Sequence, residues 1–451
     1  MRELLTVIDC SKTEGCDVPE ILREQLKEIW AWSLQQSALV GGKGMRGLEQ
    51  DLREKVLELG GRILEGSLSE KCGTGYVGSR PECSECGETS KFMNYRLKRI
   101  TTLVKQVSLK RAYYYCGQCG QGWLPLDRML DVEGSTWSPG VREAVCLVDA
   151  AVAFERGKEW LGKLSGIKIA AEEGRLISEG MGETLEEAVQ EEIENVWEVN
   201  KPFPREVCEK PKRLYISPDG TTVHTEEGWK EMKVGAVFTA RVPAEGEDPE
   251  REITRYVGGM ENSKAFGKRL YVEAVKLGLG SDTEVIAIGD GAHWIWNELD
   301  VILPERRTEI IDFYHASEKL WEAAKLAYGE ESPQTKTWAE RQAHQLKRGK
   351  FNQVLEALQE IRVKGKEAKA VQRQIIGYFK TNRDRMRYLE FRKKGYFIGS
   401  GVVESSCKHL VGSRLKQAGM KWTQSGAQAI LQLRVALLNN RWDHLWTRMA
   451  A

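Results

Sequence analysis

What this chain lacks narrows its class before anything it contains does. No apolar run approaches the roughly 20 residues that a bilayer-spanning helix needs. The opening Met1-Arg2-Glu3-Leu4-Leu5 has neither the apolar stretch nor the small-residue cleavage site of a secretory leader. Ten cysteines in 451 residues are too few for a disulfide scaffold, and two Cys-x-x-Cys pairs point instead to a metal held in a reducing compartment. The expectation is a cytoplasmic protein. Acid is scarce in one place: between Glu390 and Asp443 the sole carboxylate is Glu404.

What is present is ordinary for a soluble chain, 41% hydrophobic and 29% charged. The length suggests roughly two to four domains. A net charge of +1 hides a strong asymmetry. From Arg341 to Ala451, 23 Lys and Arg face 7 Asp and Glu, whereas the other 340 residues carry 44 against 59. So basic a C-terminal quarter, with aromatics interspersed, suggests a polyanionic partner such as nucleic acid, because solvated helix faces normally mix signs.

Residues 1–75 read as a helical region, with Leu22, Leu26 and Ile29, then Leu48, Leu52, Val56 and Leu59, at spacings of three and four. Gly41-Gly42-Lys43-Gly44 breaks it into two helices. Residues 76–130 hold the clearest local motif. Cys83-x-x-Cys86 and Cys116-x-x-Cys119 are two knuckles, each followed by glycine, with 29 β-prone residues between them. Four thiolates at two such tips suit one tetrahedral, structural Zn²⁺ in a zinc ribbon. Lys91, Arg96, Lys98, Arg99, Lys105, Lys110 and Arg111 crowd the ribbon and suit contact with DNA. Residues 131–204 return to helix, with a candidate helix-turn-helix in Phe154–Leu164 and Ala170–Ile177, and Lys201-Pro202-Phe203-Pro204 closes the region.

After that boundary the pattern switches to strands. Arg213-Leu214-Tyr215-Ile216-Ser217 runs into Pro218-Asp219-Gly220, Lys233–Thr239 is a second strand, and Arg255-Tyr256-Val257 ends a third. A helix from Ser263, the apolar strand Val285–Ile288 ending in Gly289-Asp290-Gly291, a helix from His293 and the strand Glu309–Ile311 follow. That is the element order of a ribonuclease-H-like domain, in which the first and fourth strands are neighbours and Asp219 and Asp290 converge. The fold class expected is α+β and multidomain: a ribonuclease-H-like catalytic core, residues 205–327 and 397–451, interrupted by a basic helical insertion at 328–396. Two-metal phosphodiester chemistry needs such paired carboxylates and a third acid. Glu404, in the first turn of a helix after Gly399-Ser400-Gly401, is the candidate.

Pro218-Asp219-Gly220-Thr221, Gly289-Asp290-Gly291-Ala292-x-Trp294-Ile295 and Gly399-Ser400-Gly401-Val402-Val403-Glu404-Ser405 resemble the three blocks of DDE transposases. The match is most similar to bacterial insertion-sequence transposases of the ISKra type, in the Mutator-like group, and Arg414-Leu415-Lys416-Gln417-x-Gly419-Met420-Lys421-Trp422 adds to it. The resemblance implies a nucleoid-associated enzyme with Asp219, Asp290 and Glu404 as catalytic ligands of two Mg²⁺ ions, Mn²⁺ being an alternative. It also implies His315, with Asp312, as an auxiliary near the scissile phosphate; His293 and His224 are further candidates for the same cleft. The expected partners are double-stranded DNA, as terminal repeats and as target, and a second copy of the chain in a dimer or larger assembly. Lys408, Arg414, Lys416, Lys421 and Arg434 are the expected DNA contacts of the last helices; Trp422 is a candidate to stack on an unpaired base, with packing between helices the favoured alternative. Two rivals stay open, a nuclease that cuts without strand transfer and an inactive, transposase-derived DNA-binding protein.

Overall fold

The computed structural model describes residues 20–37, 40–197, 206–207, 209–244, 247, 249–303, 307–399, 401 and 406–449. The chain divides into two compact units, Met1–Ala144 with Leu161–Ile167, and Val145–Trp160 with Lys168–Met449.

In the first unit, helix α1 (Glu20–Ser37) precedes α2 (Val40–Cys72), whose regular path is broken at Gly44, where φ is 61°. The positive φ explains why glycine stands there. Strands β1 (Lys91–Thr101) and β2 (Gln106–Tyr115) form an antiparallel hairpin registered from Lys91↔Tyr115 to Thr101↔Gln106, and β3 (Gly122–Trp123) adds to β2. Val107 and Leu109 point inward while Ser108 and Lys110 point outward, the alternation of a half-buried strand. Leu64 and Leu68 of α2 pack on this inner face with Ile100.

Of the ribbon's basic residues, Arg111 is buried and Lys98 half-buried, which corrects their reading as free DNA contacts. Arg111 is buried and its Nη1 donates to Asp127 Oδ2 at 2.5 Å; Lys98 Nζ donates to the same oxygen at 3.2 Å. A buried carboxylate needs such partners, and Asp127 takes both cations out of reach of a polyanion.

The second unit is built on a five-stranded sheet, with helix α3 (Ala171–Trp197) preceding it in the chain. The strands are β4 (Arg213–Thr225), β5 (Gly228–Arg241), β6 (Glu250–Gly259), β7 (Glu284–Gly289) and β8 (Thr308–Ile311), in the order β6-β5-β4-β7-β8. The first three pair antiparallel; β4 with β7, and β7 with β8, pair parallel. β4 runs on through the motif read from sequence: Pro218, Asp219 and Gly220 face Gly235, Val234 and Lys233 of β5. Its pairing with β7 ends at Ile216, so beyond that point it is laddered on one side only, where a proline is tolerated.

Helix α4 (Ser263–Lys276), capped by Asn262, lays Phe266, Leu270 and Ala274 into the sheet core, and α5 (His293–Ile302) adds Ile295 and Leu299. After β8 come α6 (Phe313–Tyr328), α7 (Pro333–Lys347), α8 (Phe351–Glu360), α9 (Lys366–Thr381) and α10 (Tyr388–Lys393). Leu346, Leu358 and Phe379 of these helices share one apolar cluster with Ile216, Ile286 and Ile310 of the sheet. The basic helical stretch is therefore packed into the core of this unit. Helix α11 (Gln424–Leu438) lies against α3, where a Cβ on Gly182 would collide with the Ala429 backbone.

Candidate functional site

Sheet register places the two aspartates. Arg213↔Glu284 through Ile216↔Ala287 share an offset of 71 residues, and Ser217 Oγ donates to the Ile288 carbonyl at 2.9 Å on that same offset. Asp219 and Asp290 lie beyond the end of that ladder, Asp290 just past the last residue of β7, and the charge of Asp290 acts on Asp219. Each carboxylate is anchored. Asp290 Oδ1 accepts the Ala292 N–H at 2.8 Å, and Asp219 Oδ1 accepts the Gly220 N–H at 2.7 Å. Gly291 is required by its φ of 99° and by the Tyr378 ring, which a Cβ would meet at 2.7 Å.

Burial pushes the Asp219 carboxyl pKa up and the charge of Asp290 adds to the rise, while the Gly220 amide, the Cys407 thiol and His315 act against it. A buried carboxylate whose proton affinity is raised by a neighbouring negative charge marks a place where a cation is favoured. Asp312 is buried, caps α6 by accepting the Tyr314 N–H at 2.6 Å, and its own N–H donates to the Gly289 carbonyl at 2.8 Å, which ties the ends of β7 and β8 together.

His315, one turn on, has its Nδ1 3.8 Å from Asp312 Oδ2, too long for a hydrogen bond but close enough for charge attraction. Asp312 first, then Glu318 and Asp290, hold the imidazolium and lift its pKa to about 9 against the opposing effect of burial. These carboxylates favour the imidazolium form of His315. The charged form is favoured by folding, so its contribution to stability is complete below about 6.5, the unfolded value. It is lost as pH rises through about 9. Melting of the metal-free protein between about pH 6 and pH 10 is expected to show this fall, and His315→Gln to flatten it. A variant with the same slope as the parent would remove the assignment.

Two contacts escaped the sequence reading. Tyr378 Oη donates to the Asp290 carbonyl at 2.7 Å from 88 residues away, with no local signal to mark it. The Cys407 thiol donates to Asp219 Oδ2 at 3.2 Å. Cys407 opens a π-helical stretch, Cys407–Gly412, and its place three residues after Glu404 was a legible hint. Glu404 itself lies outside the described residues. His293 is exposed at the start of α5, and His224 packs against Trp229 with ring centres 5.1 Å apart.

The expected DNA contacts divide. Lys408, Lys416 and Lys421 are exposed, and Lys416 Nζ donates to Thr221 Oγ1, two residues beyond Asp219. Arg414 and Arg434 are corrected, and Trp422 packs in the apolar core instead of standing open to a base: all three are buried. Arg414 lies between the Phe154 and Trp422 rings, at 4.6 and 5.0 Å, and its Nε donates to the Asp149 carbonyl at 2.7 Å. Arg434 Nε donates to the Leu410 carbonyl at 2.6 Å. Backbone carbonyls and aromatic faces consume these guanidiniums, and the Trp422 Nε1–H is used on the Leu415 carbonyl at 3.1 Å.

In the first unit, Cys83, Cys86, Cys116 and Cys119 bring their sulfurs within 4.8 Å of one another. Cys83 and Cys119 are 3.8 Å apart and Cys86 and Cys116 3.7 Å, far beyond a disulfide bond. A tetrahedron with Zn–S bonds of about 2.3 Å has edges of about 3.8 Å, so the four thiols can hold a metal ion such as zinc. The thiols do not shift together: the Cys119 backbone amide contributes most to drawing Cys116 down to about 7, whereas, against the pull of the Glu88 and Gln121 amides, burial and the neighbouring thiols raise Cys86 and Cys119.

A family described as the uncharacterised protein family UPF0236 matches residues 45–444. The chain belongs to UPF0236. One relative, the UPF0236 protein in the vanSb 3′ region of Streptococcus gallolyticus, is 24% identical over 354 residues, covering 77% of this chain and 74% of its own. Among solved structures, the crystal structure of NurA with manganese is 12% identical, over 58% of this chain and 63% of that one. This chain thus spans less than two thirds of that structure, and the TM-score of 0.10 supports no argument from it. Among the described residues, no helix is long and apolar enough to cross a membrane.

Proposed function

We propose that this member of UPF0236 is the DDE transposase of an insertion sequence, acting on DNA ends from a ribonuclease-H-like core. The observation that carries the reading is that Asp219, on β4 past the end of its ladder with β7, is buried within reach of the charge of Asp290, which follows the end of β7. The strand order, with three antiparallel strands followed by two parallel ones, supports the same core. So does the paired effect of burial and like charge on Asp219.

Hard carboxylate oxygens from Asp219, Asp290 and Glu404 fit Mg²⁺, which takes one or two carboxylates per ion. When bound, a pair of Mg²⁺ or Mn²⁺ ions supplies the Lewis acidity for phosphodiester hydrolysis and transesterification. The chain's own groups then have separable roles. The Ala292 N–H holds one oxygen of Asp290, and the Gly220 N–H and Cys407 thiol orient Asp219. His315, its imidazolium form favoured by Asp312, holds a phosphate oxygen by charge and does not serve as the base. Lys416 adds a second cation on the Asp219 side, and Lys408 and Lys421 hold flanking phosphates. The zinc ribbon and the helices of 131–204 bind terminal repeats, and joining two ends in one event calls for a dimer or larger assembly.

The test is purified protein with Mg²⁺, labelled DNA carrying the native element ends and a supercoiled target. Strand-transfer products that disappear with Glu404→Gln are expected. Nicking without joined products would replace the reading by a nuclease, and binding without cleavage, with Mn²⁺ also tried, by a DNA-binding relic.

A further inference from the structure

A groove of about 1290 Å³ runs along the second unit, between the turn after β5, the end of α7, α10 and the segment 395–399, and reaches Phe313 and Tyr314 at the start of α6. It exceeds the about 300–1,000 Å³ of small-molecule sites, so a stretch of polymer suits it better. Among the described lining residues its charge is one-sided. Arg251, Lys347, Arg392, Lys393 and Lys394 line it, and among the described residues none of the five makes an ion pair. Glu247, the one described acid in the lining, is already 3.4 Å from Arg241. Such uncompensated charge around one recess is the arrangement that attracts phosphates.

The mouth is aromatic. Tyr314 is 58% exposed, although its backbone N–H is fixed by the Asp312 carboxylate at 2.6 Å. An anchored backbone presenting an open ring forms a platform, and a base can lie on such a ring only when it is unstacked from its own helix. Behind it, Lys347 lies 5.6 Å above the Phe313 ring. Tyr314 and Asp312 both lie against Gly399, where an added Cβ would meet the Tyr314 ring at 2.7 Å and Asp312 Oδ1 at 3.8 Å.

The geometry points to this groove as the seat of an unpaired DNA strand, with phosphates on Arg392, Lys393 and Lys394 and a base on Tyr314. The inference rests on the transposase reading and adds to it that the site takes DNA in single-stranded form at this edge. It also accounts for the clustering of three consecutive cations at the end of α10, which no salt bridge among the described residues explains.

The test is fluorescence anisotropy on the full chain in metal-free buffer, with a labelled thymidine oligonucleotide and, separately, a duplex of the same length. Removing all three cations (R392A, K393A and K394A together) is expected to weaken single-strand binding about tenfold to a hundredfold at 0.1 M salt. The same variant should reduce the salt slope by about two. Tyr314→Ala is expected to lose about fivefold to a hundredfold, and Tyr314→Phe to retain parental affinity. Duplex affinity should move less than about threefold in each variant. Single-strand binding left unchanged by either set, or duplex binding weakened to the same extent, would overturn the proposal; melting curves confirm that each variant is folded. Because no metal is present, the outcome is separable from cleavage. Selective loss of single-strand binding in a protein that never cuts DNA keeps the groove and discards the transposase. Cleavage by a protein whose variants bind single strands normally does the reverse.

Discussion

Asp290→Asn is expected to lower DNA cleavage by about a thousandfold or more and leave the protein folded. The carboxamide retains an Oδ1 that can accept the Ala292 N–H, so the turn after β7 has no reason to change. What disappears is the negative charge. Loss of several kcal/mol of stabilisation at a metal-dependent centre, taken as about 4 kcal/mol, corresponds to about a thousandfold in rate.

Asp219→Asn should show the same loss together with a second signature. The Asp219 carboxyl pKa is raised in the folded chain, first by burial and also by Asp290, so its ionised form disfavours folding. The sign follows from linkage: a folded pKa above the unfolded one contributes stability that is full below the unfolded value, near 3.9, and lost as pH rises through the folded one. At neutral pH the neutral amide is therefore expected to melt above the parent when metal is absent. Cleavage assays paired with thermal melts check both. A variant that loses activity and melting temperature together would mean disrupted packing, and full cleavage by either variant would remove the two-aspartate centre.

The second large effect is expected at the four thiols. Cys83→Ser with Cys116→Ser takes one ligand from each knuckle and should abolish metal retention, from one zinc per chain to none by elemental analysis. Structural zinc contributes an apparent 10–16 kcal/mol in small finger peptides, about as much as the whole stability of a typical domain, about 5–15 kcal/mol. The open end of the hairpin, where Lys91 pairs with Tyr115, has little else to hold it. Its own buried cluster is Ala112, Tyr114 and Trp123, with Phe92 partly covered. Limited proteolysis should open the 83–119 segment in the double variant and in chelated parent protein, while the sheet of the second unit stays protected. Protein purified without zinc, with unaltered protease resistance in the double variant, would leave the cysteines without a metal role.

Some of this was written in local pattern. Two Cys-x-x-Cys pairs can be recognised from spacing alone because tetrahedral ligation imposes the spacing, and the sulfur separations agree with it. The β-branched run before Asp290 announces a strand buried on both faces, and Val285, Ile286, Ala287 and Ile288 are indeed almost wholly covered. Gly44 breaks its helix for a reason any isolated glycine carries, freedom at positive φ.

Other features depend on partners distant in the chain. A count of basic residues treats every arginine as solvent-facing, yet Arg111, Arg414 and Arg434 are buried on Asp127, Asp149 and Leu410. Nothing within a few residues of them says so. Tyr378 reaches Asp290 across 88 residues only because α9 packs into the same core as β7. By itself the sequence determined which segments form strands and helices, where four thiols recur, and where charge accumulates, since these follow from periodicity and side-chain chemistry along the chain. Only the tertiary structure decided that the Gly220 amide and the Cys407 thiol hold Asp219, that Asp312 faces His315, and which arginines remain available to a polyanion. Those outcomes are set by strand register, burial and neighbouring charge, which exist only once distant segments have packed together.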